Sequence, residues 1–323
     1  MKKILVVANS STYEAGAFEE VNKVLLEKGV STYIYRQDRC LTGDYLTFEM
    51  RNNHPEYFVT IDESRHSIDS FTAIWYMHPF LPRDLLLYEP AEFRHFISSQ
   101  FMRMREALWT VFQHKRWIND PWRTYQIENK IYQSYLASSA NLEMPNTIIS
   151  SNPEEIRQFY TEHRGKIVVK NFATSPIPDR VVMTNMVSKE DYLAMDSARV
   201  APAIYQEYVD KLYELRITVV GDKIFVTNIY SQEDAQTAID WRSKPLLNDF
   251  QVRMEQGEIP EILKKKIRHF MDSAGLKYGC IDMIRTLDNR YVFLEINPAG
   301  QWYFVQVKTK VKIANAIADL LLL

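Results

Sequence analysis

The chain has 323 residues, 46% of them hydrophobic, with a formal net charge of -2. That length provides for about two or three domains with ample core, and a near-neutral balance without a basic block argues against a nucleic-acid partner. Two cysteines, Cys40 and Cys280, lie far apart and form no CxxC pair, which fits a reducing compartment and free buried thiols.

Met1-Lys2-Lys3 runs straight into Ile4-Leu5-Val6-Val7-Ala8, a first strand in composition and too short an apolar core for a signal peptide. No other apolar run approaches a membrane span, Leu320 to Leu323 included. A cytoplasmic protein without a membrane partner is the expectation. Residues 13–28 place Ala17, Val21, Val24 and Leu25 at helical spacing and end on Gly29. Strands at 31–35 and at Ala73-Ile74-Trp75-Tyr76 then imply a βαβ unit and a parallel sheet. Residues 92–115 predict a long helix with Phe93, Phe96, Ile97, Phe101, Met104, Leu108 and Phe112 on a core-facing stripe.

Asn119-Asp120-Pro121-Trp122 marks a turn and a domain boundary. A helix over 125–138 and a short strand at 147–150 follow. Asn152-Pro153-Glu154-Glu155 has the residues of an N-capping box with proline at N1. Strands are expected at 165–170 and 181–187, a helix of mixed charge from Ser188, and a strand through Ile204 to Tyr208. Strands at 215–220 and 223–230 are joined by Gly221-Asp222, a type I′ signal. A helix over 260–273, a hairpin and an apolar closing helix from about Lys310 complete the chain, with no internal repeat.

That last hairpin carries the chemistry. Gly279-Cys280-Ile281-Asp282-Met283-Ile284 and Val292-Phe293-Leu294-Glu295-Ile296-Asn297-Pro298 flank the turn residues Leu287-Asp288-Asn289-Arg290. On paired strands Asp282 and Glu295 can share one face, and Asn297 joins them because strand side chains alternate. Two carboxylates and an amide oxygen are hard ligands suited to Mg²⁺ with its phosphates, whereas a solvated hairpin with two unrelated acids is the bland alternative. The seven histidines show no HxxxH or HxH spacing, and no triad order is present, so zinc and triad hydrolysis are poor readings.

The order of these elements resembles the ATP-grasp superfamily. The matching pieces are Lys130, Lys170, the run Gln206-Glu207-Tyr208-Val209, and Asp282 with Glu295 and Asn297. More narrowly, Ile74-Trp75-Tyr76, Trp117-Ile118-Asn119-Asp120-Pro121, Glu128-Asn129-Lys130, Leu215 to Gly221, Asp240-Trp241-Arg242 and Phe293 to Trp302 resemble the microviridin-type peptide ligases, or graspetide synthetases. The resemblance implies an α/β (α+β) ATP-grasp fold in three parts. These are an N-terminal parallel-sheet domain (1–120), a central lid domain (121–205) and a C-terminal antiparallel-sheet domain (206–323). It also implies a homodimer, ATP and Mg²⁺ as cofactors, and a ribosomal precursor peptide with a leader and an acidic, Thr-rich core as partner.

In that scheme Asp282, Glu295 and Asn297 hold Mg²⁺ against the β- and γ-phosphates, and Lys130 and Lys170 contact phosphates as point charges. The backbone of Glu207 and Val209 meets the adenine edge, with Gln206 and Tyr208 in the same hinge, and Glu214 accepts from ribose hydroxyls. Arg216 steadies the γ-phosphate or acyl phosphate, and Arg242 forks onto the reacting carboxylate, with a structural salt bridge as the alternative for each and Asp240 as a candidate partner. Around 188–199, Glu190, Asp191 and Asp196 belong either to leader recognition or to a solvated helix face. Two departures from the pattern stand out: residues 171–181 contain no glycine for a phosphate loop, and His78 follows Trp75-Tyr76 where a basic residue is expected.

The reaction implied is activation of a Glu or Asp side chain as an acyl phosphate, followed by attack of a Thr or Ser hydroxyl (ester) or a Lys amine (amide). Competing readings are a glutamate ligase acting on a protein or small molecule, and a catalytically silent nucleotide-binding interaction protein.

Overall fold

The computed structural model describes residues 2–10, 15–77, 79, 90–172, 184–243 and 252–323. In chain order β1 (Lys3–Ala8), α1 (Ala15–Glu27) and β2 (Ser31–Arg36) lead into a meander of β3 (Tyr45–Arg51), β4 (His54–Ile61) and β5 (Ser64–Ser67). Next come β6 (Ala73–Tyr76), α2 (Arg94–Val111) and β7 (Arg116–Ile118). Strands β2-β1-β6-β7 form a parallel sheet in that order. Its inner strands, β1 and β6, are buried on both faces, as parallel strands between layers are. Ile4 and Val6 pack with Val21 and Leu25 of α1, while Leu5 and Val7 pack with Leu108 and Phe112 at the end of α2.

The stripe on α2 is only half core. Leu108, Trp109 and Phe112 are buried, but Phe93 and Phe96 are 47% and 62% exposed. Only the last turns reach the sheet and the meander, so the apolar period at the start of the helix has no facing layer within the described residues. The meander itself is absent from the sequence reading. Its turns, Asn52-Asn53 and Asp62-Glu63, adopt positive φ without glycine, so the usual hairpin signal is missing.

Asp120 caps α3 (Pro121–Ile127) and Asn129 caps α4 (Lys130–Ser139), each accepting two backbone N–H bonds. The single helix expected over 125–138 is therefore two, broken where Asn129 competes for the backbone. A four-stranded sheet in the order β10-β9-β11-β8 contains β8 (Thr147–Ser150), β9 (Ile167–Lys170), β10 (Asn185–Met186) and β11 (Ala203–Glu207). It carries α5 (Pro153–Glu162), with Asn152 bonded to the Glu154 N–H while Glu155 turns to Ser150. It also carries α6 (Lys189–Leu193), which starts with a true capping box of Ser188 and Asp191. Most of the glycine-free stretch, residues 173–181, the start of the 181–187 strand and His78 lie outside the described residues.

The five-stranded sheet β14-β13-β12-β15-β16 is built from β12 (Lys211–Val220), β13 (Lys223–Ile229), β14 (Met254–Gln256), β15 (Tyr278–Thr286) and β16 (Tyr291–Asn297). Gly221, at φ 56, and Asp222 make the two-residue turn between β12 and β13. Helix α7 (Glu261–Ala274) buries Leu263, Ile267 and Phe270 against this sheet and ends on left-handed Gly275. The closing helix expected from about Lys310 is α9 (Ile313–Leu322), and a short unexpected helix, α8 (Tyr303–Thr309), precedes it and ends at Lys310, whose φ is 61. Among the described residues no helix is long and apolar enough to cross a membrane.

Candidate active site

A cleft of about 320 Å³ opens beside the ends of β9 and β11 and the β15–β16 hairpin. Asp282 and Glu295 are direct cross-strand partners, followed by a bulge that pairs Met283 with Phe293 and leaves Leu294 as the extra residue. Both line the cleft, as do Asn297, Lys130, Lys170, Glu214, Arg242 and all four hinge residues, Gln206 to Val209. Arg216 stands behind this wall, 6% exposed, on the strand next to Asp282.

Each acid of the hairpin is engaged by a cation. Arg216 Nη1 donates to both oxygens of Asp282 at 2.9 and 3.0 Å, and its Nη2 donates to the Gln301 carbonyl. Burial opposes the Arg216 charge, but Asp282 outweighs it and keeps the guanidinium firmly protonated. Lys130 Nζ lies 2.6 Å from Glu295 Oε2, and Arg242 Nη1 lies 3.9 Å from Glu295 Oε1. Burial works against the Glu295 carboxylate as well, yet Lys130 first, then Arg242 and Lys170, hold its carboxyl at about 2. Asn297 Oδ1 accepts from the Ala299 N–H, which fixes the amide at the strand end.

Lys170 donates to Gln206 Oε1 at 2.7 Å, and Gln206 Nε2 donates to Thr147 Oγ1. The Gln206 side chain thus binds the ammonium of Lys170 instead of facing a base. Burial lowers the Lys170 pKa; Glu295 opposes that shift and Arg242 adds to it. At the hinge the Glu207 N–H donates to the Asn146 carbonyl and the Tyr208 N–H to that of Lys166. Glu214 receives both Lys211 Nζ and Ser231 Oγ on Oε1 at 2.7 Å each, and burial pushes its carboxyl up against those two donors. Arg242 is forked onto Asp240, the structural pair weighed from the sequence, with bonds of 2.9 and 3.0 Å. Asp240 is held below its usual range despite burial, because Arg242 lies against it. Near α6, Asp196 bridges Arg157 and Arg199 and Asp191 serves the capping box, so structural contacts account for these two acids.

Two positioning residues escaped the sequence reading. Gln133 donates to the Ile127 and Ile296 carbonyls and accepts from the Ile296 N–H. It ties α4 to β16 one residue beyond Glu295, and its place one helical turn after Lys130 was the available signal. Asn119, read as a turn residue, donates to the Tyr278 and Pro298 carbonyls and accepts from the Lys277 and Tyr278 N–H groups. It joins the end of the parallel sheet to the start of β15 and to the residue that follows β16.

A RimK-like ATP-grasp domain model matches residues 127–321, more than half of the 323-residue chain. The chain belongs to the RimK-like ATP-grasp family. Its fold extends over the whole length of solved relatives. The macrocyclase MdnC from Microcystis aeruginosa MRC, bound with the precursor peptide MdnA, is 26% identical with a TM-score of 0.86, each chain 99% covered. A Chryseobacterium gregarium RiPP-associated ATP-grasp ligase, in complex with ADP and a leader and core peptide, is 24% identical with a TM-score of 0.87, covering 100% of this chain and 97% of that one. The ATP-grasp ligase PsnB, complexed with a phosphomimetic variant of its minimal precursor, Mg and ADP, is 18% identical with a TM-score of 0.78, covering 100% and 98%. A search of curated proteins gave no match. This ATP-grasp chain offers two carboxylates and an amide oxygen at the hairpin, and among the described residues no group of three or more His, Cys, Asp or Glu is placed to hold a metal. Such a donor set fits Mg²⁺ that draws its remaining ligands from phosphate and water, the usual arrangement for that ion.

Proposed function

We propose that this ATP-grasp protein is an ADP-forming peptide ligase that closes side-chain links within a ribosomal precursor peptide. The carrying observation is the pairing of Asp282 and Glu295 on one cleft wall with Lys130, Lys170, Arg216 and Arg242 gathered around it. The full-length likeness to peptide-bound ligases supports the choice of substrate.

A carboxylate does not acylate a hydroxyl or amine in water because its leaving group is poor. Transfer of the γ-phosphoryl group to a Glu or Asp side chain of the peptide gives an acyl phosphate and releases ADP. Attack by a Thr or Ser hydroxyl, or a Lys amine, then expels phosphate and forms an ester or amide. Positioning and charge neutralisation are what the protein must supply.

Asp282, Glu295 and Asn297 would hold Mg²⁺, which neutralises charge on the β- and γ-phosphates when bound. Lys130 and Lys170 neutralise phosphate oxygens. Arg216, braced behind Asp282, steadies the transferred group. Arg242, half-exposed and only partly used by Asp240, faces the peptide carboxylate. The Glu207 N–H is already committed to Asn146, so the adenine edge takes the Glu207 carbonyl and the Val209 backbone. Glu214 has both of its close donors on Oε1, leaving Oε2 to accept from ribose. The three-part division at about 120 and 205, a homodimer and a cytoplasmic setting complete the proposal.

The competing reading, a ligase that adds an amino acid to an acceptor, is separated by one experiment. Incubation with ATP, Mg²⁺ and a cognate acidic, Thr-rich precursor is expected to give peptide-dependent ADP and a peptide lighter by one water per link. A mass gain would assign the amino-acid ligase. ADP without a change in peptide mass would overturn the cyclase reading.

A further inference from the structure

The two acids expected to meet a metal are each already held by a cation. Glu295 Oε2 accepts from Lys130 at 2.6 Å, and Asp282 accepts on both oxygens from Arg216. A Mg²⁺ ion sits about 2.0–2.1 Å from its oxygen ligands. Metal and ammonium on the same Glu295 oxygen would be close cations in a partly desolvated cleft, where their repulsion is weakly screened. Lys130, Lys170, Arg216 and Arg242 stand among Asp240, Asp282 and Glu295 around the hairpin, and Lys211 pairs with Glu214. Glu128 and Glu207 also line the cleft, Glu207 being bonded to Asn146, so the obstacle to a metal is the cation seated on each acid and not the net charge of the lining.

Lys130 is placed for exchange. It is the first residue of α4, fixed at its backbone by the Asn129 cap and the Gln133 clamp on Ile296, but its side chain is 27% exposed on a flexible stem. Arg216 differs, being 8% exposed at its side chain and pinned by three bonds. Of the two resident cations, only the lysine can leave at low cost.

We propose that Lys130 is a placeholder for the metal: it neutralises Glu295 in the nucleotide-free protein and releases it only when a polyphosphate arrives to take the ammonium. Nucleotide and metal then bind as a coupled pair, and the protein discriminates against free divalent cations. This inference rests on the metal role assigned to Glu295 above.

The test is Mn²⁺ binding, read by EPR or calorimetry, with and without a non-hydrolysable ATP analogue. In the wild type the analogue is expected to tighten Mn²⁺ binding at least about tenfold, as expected when a charged competitor is removed. Lys130→Met is expected to bind Mn²⁺ about tenfold tighter than the wild type without nucleotide, and Lys130→Arg, which keeps the charge, to behave as wild type. Equal nucleotide-free Mn²⁺ affinity in Lys130→Met and wild type overturns the placeholder. Glu295→Gln distinguishes the two levels. If the analogue brings the same Mn²⁺ into wild type and Glu295→Gln, the metal assignment itself fails; if Glu295→Gln loses it while Lys130→Met matches wild type, only the placeholder fails.

Discussion

The two ends of the cleft are built on different terms. At the hairpin end, Glu295 is held by the partly exposed Lys130 and Asp282 by the buried, pinned Arg216, so the first ion pair is the one open to exchange. At the hinge end, Gln206 is locked between Lys170 and Thr147, Glu214 between Lys211 and Ser231, and the Glu207 and Tyr208 N–H groups are spent on the Asn146 and Lys166 carbonyls. One end is poised to rearrange and the other is rigid. The difference suits the roles proposed for the two ends: phosphoryl transfer needs charge that moves onto the substrate, whereas a base needs only a fixed edge to pair with.

The contrast can be broken most forcefully at Asp282. Asp282→Asn removes one proposed metal ligand and the partner of Arg216, and is expected to cut peptide-dependent ADP formation by more than about a hundredfold. A coupled ADP assay checks this, and activity within a few-fold of wild type would deny the hairpin its role. Gly300 tests the packing that braces Arg216. A Cβ there would lie 2.5 Å from Cys280 Cβ and 2.8 Å from Arg216 Nη2. Gly300→Ala is expected to cost about 1–3 kcal/mol, read from urea unfolding.

Gln206→Leu sharpens the hinge side. It strands the Lys170 ammonium, and about a tenfold rise in KM for ATP is expected, on the scale of one hydrogen bond to a charged group. An unchanged KM would show that Lys170 does not need its anchor. The smallest effect concerns acid stability. Glu295 sits at about 2 against an ordinary 4.5, so its charge favours the folded state above about pH 4.5 and that contribution is lost as pH falls toward 2. Lys130→Met weakens the cause of the depression, and circular dichroism is expected to show acid unfolding beginning at a higher pH, by less than about one unit.

The hairpin was legible because strand alternation places Asp282, Glu295 and Asn297 by spacing alone, and the register bears out the Asp282–Glu295 pair. Lys130 and Lys170 could be located, but not their partners. Glu295 lies far along the chain from Lys130, and no local period encodes that meeting. The helix break at Asn129 was misread because a capping asparagine looks like an ordinary helix-surface residue. The meander was missed for want of glycine in its turns. On α2 the apolar period was real, but Phe93 and Phe96 extend past the layer that buries Leu108 and Phe112. Periodicity reports which face is apolar and not what lies opposite.

The central claim is that this cleft activates a peptide carboxylate through ATP and then closes a link. A precursor carrying heavy oxygen in its acidic side chains tests it most directly. The account predicts one labelled oxygen in each phosphate released, with one ADP formed and one water lost from the peptide per link. Unlabelled phosphate with a peptide of unchanged mass would contradict it.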